Sequence, residues 1–289
     1  MWNLPNPPSD TAVSDLVTAF KRADGSFDYN MSDAEKTQMG EIYARYDQLK
    51  GRPNPELLAP GLTDALKTAI ESAYEHVQKD KRLHKLREQL KLVASRCPLC
   101  GFSAVTDLDH HLPKSRYQAF SVYSRNLIPT CHTCNNKKRA IAAAEPDQHF
   151  IHAYLDPLPQ ERFLIAQSTM ESGALLVDFA IVQTPSMSMD LYQRLTFQIS
   201  RLELSERFRP EINVFLASME IAFRDAFGAD QSGTRVCDFL ARSAQSNARI
   251  FGLNDWRVAL LAALAANCEF CNGGFLQTCA VLAPTPATV

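Results

Sequence analysis

The 289-residue chain lacks the features that mark membrane and secreted proteins. It has no uncharged apolar run of about 18 residues, the length needed to cross a bilayer. Its first ten residues, MWNLPNPPSD, contain neither the basic nor the apolar segment of a secretory signal. Eight cysteines in a chain of this size do not form a disulfide scaffold. We therefore expect a cytoplasmic protein with reduced thiols and no membrane association.

Lysine is missing from the second half of the chain, since none follows Lys138. The segment from Lys79 to Arg139 holds 13 Lys and Arg against 4 Asp and Glu, a local charge of +9. Because the whole chain carries −2, the remaining residues carry −11. A basic zone within an acidic protein is typical of a surface that faces phosphates. The charge distribution therefore predicts a nucleic-acid partner.

Two cysteine pairs lie inside this basic zone, Cys97-Pro98-Leu99-Cys100 and Cys131-His132-Thr133-Cys134. Each pair has the C-x-x-C spacing of a tetrahedral zinc site, and together they supply all four ligands. A zinc ion with four protein ligands is structural, and a small unit that buries little apolar surface needs such support. We interpret Cys268 and Cys271, with Cys279 and Cys237, as core cysteines.

The segment between the pairs carries residues suited to phosphodiester hydrolysis. Asp109 offers the hard oxygen that Mg²⁺ or Mn²⁺ prefers. His110 has an ordinary pKa near neutrality, as a general base requires. Asp107 has two open interpretations, support of a histidine or a solvated strand position. The best candidates for phosphate contacts are basic side chains in the loop and near the second cysteine pair: Lys114, Arg116, Lys137, Lys138 and Arg139.

The stretch from Cys97 to Lys138 resembles the zinc-stapled HNH nucleases of the ββα-metal type. The shared pattern is a C-x-x-C, an Asp-His followed by Pro, an Asn-Leu, and C-x-x-C-Asn-x-x-Lys. The resemblance implies that Asp109 and Asn135 bind a catalytic Mg²⁺ or Mn²⁺ ion, that His110 is the general base, and that Asn126 pins the loop between the strands. His111 stands where the family more often has an aliphatic residue, which leaves open which histidine is the base.

Sequence patterns predict the elements around this motif. Helices are expected over 11–23 and 32–50, the second opened by the capping-box pattern Ser32-Asp33-Ala34-Glu35. A long helix over 62–95 would carry a basic stripe that either contacts phosphates or forms a solvated face. The stripe consists of Lys79, Lys81, Arg82, Lys85, Arg87 and Lys91. The remaining predictions are strands over 104–113 and 121–130, a helix from His132 to about Ala144, a hairpin over 163–167 and 174–183, and helices over 187–202, 205–228, 231–249 and 255–270.

The predicted fold class is α+β and mostly α-helical, with a zinc-stapled ββα-metal (HNH) core between N-terminal helices and a C-terminal helical domain. Four regions follow: an N-terminal helical region over 1–95, the HNH core over 96–145, a connecting segment over 146–186 and the helical domain over 187–289.

The predicted function is metal-dependent hydrolysis of DNA by an HNH endonuclease. The segment from His149 to Asp156 has a weaker resemblance to HNH nucleases of bacterial anti-phage systems, in the style of the Septu nuclease. That resemblance implies a defence role with an ATPase or other subunit as partner, and a second copy of the chain is a further candidate partner. The alternatives are a non-catalytic zinc-stapled module that binds nucleic acid and an HNH nuclease that acts on RNA.

Overall fold

The computed structural model describes residues 2–139 and 148–282. As predicted, the fold is α+β and mostly helical, and its described part contains two two-stranded antiparallel sheets. The packing divides the chain into two compact units, Met1–Leu158 and Pro159–Val289. The division into four regions places its boundaries elsewhere and stays a prediction.

The helices of the first unit begin close to where the sequence patterns place them. In the second helix, the Ser32 hydroxyl accepts a hydrogen bond from Glu35 N, and the Glu35 carboxylate accepts one from Ser32 N. The predicted capping box is therefore confirmed. The described helices of this unit are α1 Ala12–Phe20, α2 Asp33–Gln48, α3 Asp64–Ala73, α4 His84–Leu92 and α5 His132–Lys138.

The single long helix predicted over 62–95 is wrong. The chain forms α3, a 3-10 turn over Tyr74–Val77, and then α4. Asp80 lies in the left-handed region at φ 61°, which an α-helix of L-residues cannot continue through. The Arg82 guanidinium turns back to α1, where Nη1 donates to Ala19 O at 2.5 Å and to an Asp28 carboxylate oxygen at 2.6 Å. These long-range contacts outweigh the helical pattern of the segment, and they remove Arg82 from the predicted basic stripe.

The order strand, loop, strand, helix predicted around the cysteines is present. Strand β1, Asp107–His110, pairs antiparallel with β2, Leu127–Thr130, in a register that places Asp109 opposite Ile128. Both strands are shorter than predicted. Helix α5 ends at Lys138 because Arg139 adopts φ 51°, so the predicted extension toward Ala144 stops there. Residues 140–144 of that prediction lie outside the described residues.

An aromatic cluster holds the loop between β1 and β2 against α2. Tyr43 and Tyr123 stack with ring centroids 4.2 Å apart, and Tyr46 lies 4.8 Å from Phe120. All four rings are buried. Pairs of this kind contribute about 0.5–1.5 kcal/mol beyond their buried area. The N-terminal helices therefore form one core with the ββα segment.

The second unit begins with the predicted hairpin, which the structure confirms. Strands β3, Leu164–Glu171, and β4, Ala174–Ile181, pair antiparallel around Ser172 and Gly173. Both turn residues have positive φ, 50° and 82°, as a type I′ turn requires. Buried residues alternate along β4, so one face of the hairpin packs on the helices of its unit.

Five helices follow, close to the four predicted: α6 Met189–Arg201, α7 Leu204–Phe227, α8 Gly233–Phe251, α9 Trp256–Ala265 and α10 Phe275–Leu282. The predicted helix over 255–270 ends early at Ala265, and a π-type turn with Gly273 at φ 110° leads into α10. Cys271 and Cys279 are buried, as predicted for core cysteines, and Cys237 is half-buried. The prediction is wrong for Cys268, which is exposed.

Within residues 2–139 and 148–282, no individual helix is both long and apolar enough to span a bilayer. The segments Trp256–Ala265 and Phe270–Cys279 are long and apolar enough only when taken together, and they meet at a bend of 88°.

Candidate metal centre and adjoining polar site

Four buried cysteines converge at the start of the ββα segment. The Sγ atoms of Cys97, Cys100, Cys131 and Cys134 all lie within 4.8 Å of one another, and none of the four cysteines is in a disulfide. Within the described residues, this is the group of His, Cys, Asp and Glu side chains that could hold a metal ion.

Local backbone geometry presents each pair. Gly101, at φ 83°, closes a tight turn in which Gly101 N donates to Cys97 O at 2.8 Å. Cys131 caps the N-terminus of α5, and its Sγ accepts a hydrogen bond from Cys134 N at 3.4 Å. One pair therefore comes from a turn and the other from a helix N-terminus.

The spacing of the sulfurs fits a tetrahedral metal. Cys100 Sγ and Cys131 Sγ are 3.9 Å apart, far beyond the bond of about 2.05 Å in a disulfide. Sulfurs about 2.3 Å from a zinc ion would be separated by roughly 3.8 Å. Hydrogen bonds from the neighbouring thiols, Cys100 first, hold the pKa of Cys131 below its ordinary value. The cluster can therefore hold a metal such as zinc.

On β1, Asp107 and Asp109 point to the side on which α5 lies, because alternate strand residues share a face. Asp109 is buried, and its Oδ2 lies 2.9 Å from Lys138 Nζ without making a well-aligned hydrogen bond to any described residue. Burial raises the pKa of Asp109, and the nearby Lys138 ammonium opposes that shift. The Lys138 ammonium also donates to His110 O at 2.7 Å. Lys138 is therefore buried in an internal ion pair and does not present its charge to a phosphate.

Asp107 joins the two polar residues of α5 that face the strand. Its Oδ2 accepts a hydrogen bond from Asn135 Nδ2 at 3.0 Å and lies 3.1 Å from His132 Nδ1. Asp107 therefore contacts a histidine of α5, the exposed His132, and its support of the candidate base stays a prediction. Asn135 contacts Asp107 directly, and its proposed sharing of a metal with Asp109 stays a prediction.

His110 is held by a main-chain carbonyl and an aromatic ring. His110 Nε2 lies 2.9 Å from Ser121 O, and the Tyr74 ring packs edge-on with its centroid 4.3 Å away. Burial lowers the pKa of His110 to about 4, and the charges of Lys138 and Lys114 act in the same direction. The imidazole is therefore neutral at physiological pH.

His111 points away from this site. Its ring is buried 4.2 Å from the ring of His152, and its backbone N donates to Asn126 O. Adjacent strand residues face opposite sides, so His110 and His111 cannot share one role.

Asn126 pins the loop, as the resemblance implied. Its Oδ1 accepts a hydrogen bond from Leu112 N at 2.7 Å, and its Nδ2 donates to Leu112 O and Phe120 O at 3.1 Å. The side chain is completely buried.

The predicted phosphate contacts differ in exposure. Arg116 is exposed and its guanidinium lies 5.7 Å from the Tyr117 ring centroid, while Lys114 is half-buried with Nζ 5.3 Å from the Tyr74 centroid. Lys137 is half-buried and Arg139 is exposed.

Sequence reasoning missed several residues that contact the site: Tyr46, Tyr74, Ser121 and His152. Three of them lie outside the motif, and no local spacing connects them to it. The nearest signal in the sequence was the H-x-x-H spacing of His149 and His152.

Fold and site together define an α+β protein with a buried four-cysteine centre beside a short two-stranded sheet. Neither a protein-family model nor a solved structure matches the chain. The chain is similar to Protein ea31 of Escherichia phage lambda, with 31% identity over 122 residues. The alignment covers 40% of this chain and 40% of that protein, so it spans less than two thirds of either.

Proposed function

We propose that the protein is a metal-dependent endonuclease of the HNH type that hydrolyses DNA phosphodiester bonds. The observation that carries the proposal is the setting of His110, a neutral imidazole held by a main-chain carbonyl one residue after a buried carboxylate. The four-cysteine centre would hold structural zinc and keep β1, β2 and α5 together.

His110 suits the role of general base. A carbonyl oxygen only accepts hydrogen bonds, so Ser121 O requires the proton on His110 Nε2. Nδ1 is then the nitrogen that can accept a proton, and the lowered pKa keeps it unprotonated over the physiological range. A pKa of about 4 also makes His110 a weaker base than the near-neutral pKa expected from the sequence. The half-buried ring retains some exposure. His110 would accept a proton from the attacking water at Nδ1 while Ser121 fixes the ring.

Asp109 and Asn135 are the proposed ligands of the catalytic ion. Their carboxylate and amide oxygens suit Mg²⁺ or Mn²⁺. The structural feature that fits a cation is the buried Asp109 carboxylate, whose Oδ2 already lies 2.9 Å from one positive charge, the Lys138 ammonium. When bound, such an ion would act as a Lewis acid that stabilises the leaving oxygen. Asp107 would orient Asn135 through the hydrogen bond between them.

DNA is the proposed substrate because basic residues lie in the segments next to β1 and α5. The half-buried Lys114 and the exposed Arg116 lie in the loop after β1, and the exposed Arg139 follows α5. Phosphate contacts from such side chains position a duplex without reading its sequence. Lys138 supports the site from inside, through Asp109.

The biological setting is proposed from two weaker signals. The segment from His149 to Asp156 resembles HNH proteins of anti-phage systems, and the similar Protein ea31 is a protein of Escherichia phage lambda. We propose a nuclease effector of a prokaryotic defence system, with an ATPase or other subunit as partner.

The test is cleavage of supercoiled plasmid, single-stranded DNA and RNA by the full chain, with Mg²⁺, Mn²⁺ or EDTA. We expect metal-dependent cleavage of plasmid and a loss of about 10²–10⁴ in rate for His110→Ala. His84→Ala, which removes a half-buried imidazole of α4, is the control and should retain activity. Cleavage of RNA alone would support the RNA-directed alternative. DNA binding without cleavage under any of these conditions would support the non-catalytic module.

A further inference from the structure

A buried chain of hydrogen bonds extends from Asn126 to residues far away in the sequence. Tyr46 on α2 donates its hydroxyl to Asn126 Oδ1 at 2.9 Å, and the Tyr46 Oη lies 3.0 Å from His152 Nε2. The sequence separations are 80 and 106 residues. Tyr46, Asn126 and His152 are each completely buried.

The donor and the acceptor of each hydrogen bond between His152, Tyr46 and Asn126 can be assigned by starting from His152. His152 Nδ1 accepts hydrogen bonds from Tyr154 N at 3.2 Å and Leu155 N at 3.3 Å, so Nδ1 carries no proton. The ring proton is then on Nε2 and is donated to Tyr46 Oη. The tyrosine hydroxyl is left free to donate to Asn126 Oδ1. An amide side chain can make four hydrogen bonds, and Asn126 makes all four.

Asn126 holds both sides of the contact that orients His110. Leu112 lies two residues after His110. Phe120 immediately precedes Ser121, whose carbonyl oxygen accepts the hydrogen bond from His110 Nε2. A shift of Asn126 would therefore change the distance or angle between His110 and Ser121.

Gly51 packs closely against Tyr46 and His152. A Cβ atom at Gly51 would lie 2.6 Å from His152 Cδ2 and 2.7 Å from Tyr46 Oη. Gly51 also has φ +63°, which favours glycine. On the other side, the Tyr46 ring packs against Phe120 and Tyr123.

We propose that Tyr46 and His152 are positioning residues, which act through Asn126 to fix the loop that orients His110. The inference rests on the proposed function for its effect on cleavage, but its structural part can be measured without activity. It makes the segment around His152 and helix α2 parts of the active-site framework.

Tyr46→Phe and Tyr43→Phe form a matched pair of variants. Both tyrosines are buried on α2 and pack in the same aromatic cluster, but Tyr43 Oη is buried without a hydrogen bond to any described residue. Each variant loses one hydroxyl and keeps its ring. The measurements on the full chain are amide exchange at Leu112, the ¹⁵N spectrum of the His110 ring, zinc content, and kcat and KM for plasmid cleavage.

For Tyr46→Phe we expect faster exchange at Leu112 by about tenfold, a mixture of His110 tautomers, and a roughly tenfold lower kcat with KM and zinc content unchanged. His152→Gln should show the same pattern, and Tyr43→Phe should behave as wild type. Equal exchange and equal His110 spectra in the two tyrosine variants would overturn the inference, whatever the activity. An inactive wild type whose Leu112 exchange and His110 spectrum still respond to Tyr46→Phe would overturn the proposed nuclease function and support the positioning role of the two residues.

Discussion

At the scale of single residues, His110 and Lys138 are the ionisable side chains whose surroundings differ most from water. Both are polar groups on the ββα segment that are drawn into contacts with the protein interior. Their behaviour depends on burial, which motif spacing does not report.

His110 should titrate far below an ordinary histidine. Burial lowers its pKa to about 4, whereas an unfolded chain has a value of about 6.5. Between these values the unfolded chain binds a proton that the native protein does not bind. The free energy of unfolding should therefore fall as pH falls from about 6.5 to 4, and this contribution is complete above that window. NMR titration of the ring measures the midpoint. A midpoint near 6.5 would show that the ring is solvated.

Lys138→Met should destabilise the protein by about 3–5 kcal/mol, because it leaves the buried Asp109 carboxylate without its counter-charge. Lys137→Met removes the same charge from the preceding, half-buried position and should cost much less. Urea denaturation of the two variants gives the difference. Equal stability would mean that Lys138 is solvated and available to phosphates.

At the scale of elements, the first turn of α5 and the helix α4 present different chemical groups. The α5 N-terminus supplies two of the four sulfurs, and α4 with the turn before it carries exposed lysines.

Cys131→Ser should abolish metal binding at the four-cysteine centre and unfold the β1–β2–α5 segment. Zinc binding to such sites is itself folding free energy, on the order of 10 kcal/mol in small fingers. Elemental analysis should give one zinc per wild-type chain and none in the variant. Cys271→Ser, at a buried cysteine of the second unit, should keep the metal. A folded wild-type protein without metal would contradict the assignment.

The basic residues before and within α4 should make DNA binding depend on salt. Lys79, Lys81 and Lys85 are exposed, whereas Arg82 is engaged with Asp28 and is left unchanged in this test. Each phosphate contact contributes about −0.9 to the slope of log K against log salt. Triple reversal to Glu should reduce that slope by up to about 2.7 if all three lysines contact the duplex. Reversal of Lys21, Lys50 and Lys67 changes the net charge equally and should leave most of the slope. Equal slopes for the two triple variants would show that these lysines form a solvated face and do not contact DNA.

At the scale of the whole molecule, the two compact units divide the chemistry. All the proposed metal ligands, the base and its positioning residues lie in Met1–Leu158. The second unit has no lysine and holds 13 Asp and Glu against 10 Arg. Two apolar side chains one heptad apart on α7, Val214 and Ile221, are 72% and 76% exposed.

A fragment of residues 1–158 should therefore fold, bind zinc and cleave DNA in the presence of metal. It should also lose self-association, because exposed apolar residues on one helix face favour packing against a partner or a second copy. Circular dichroism, elemental analysis, plasmid cleavage and light scattering measure the four properties. A folded fragment that binds zinc but has lost cleavage would show that the second unit contributes to the active site.

Short-range patterns in the sequence determined a large part of this structure. The capping box of α2, the β3–β4 hairpin and the two cysteine pairs all depend on residues close in sequence or on one fixed spacing, whereas the role of Asn126 came from the family resemblance. Such features follow from backbone sterics and ligand geometry, which act locally.

The tertiary structure decided where the charges and the distant supports lie. Only packing shows that the segment 62–95 breaks at Asp80, that Arg82 pairs with Asp28, and that Lys138 is buried against Asp109. The recruitment of Tyr46 and His152 to Asn126 joins residues 80 and 106 positions apart. The physical reason is that burial and the pairing of polar groups depend on which distant parts of the chain come into contact. The spacing of residues along the sequence does not reveal the free energy of desolvation of a side chain.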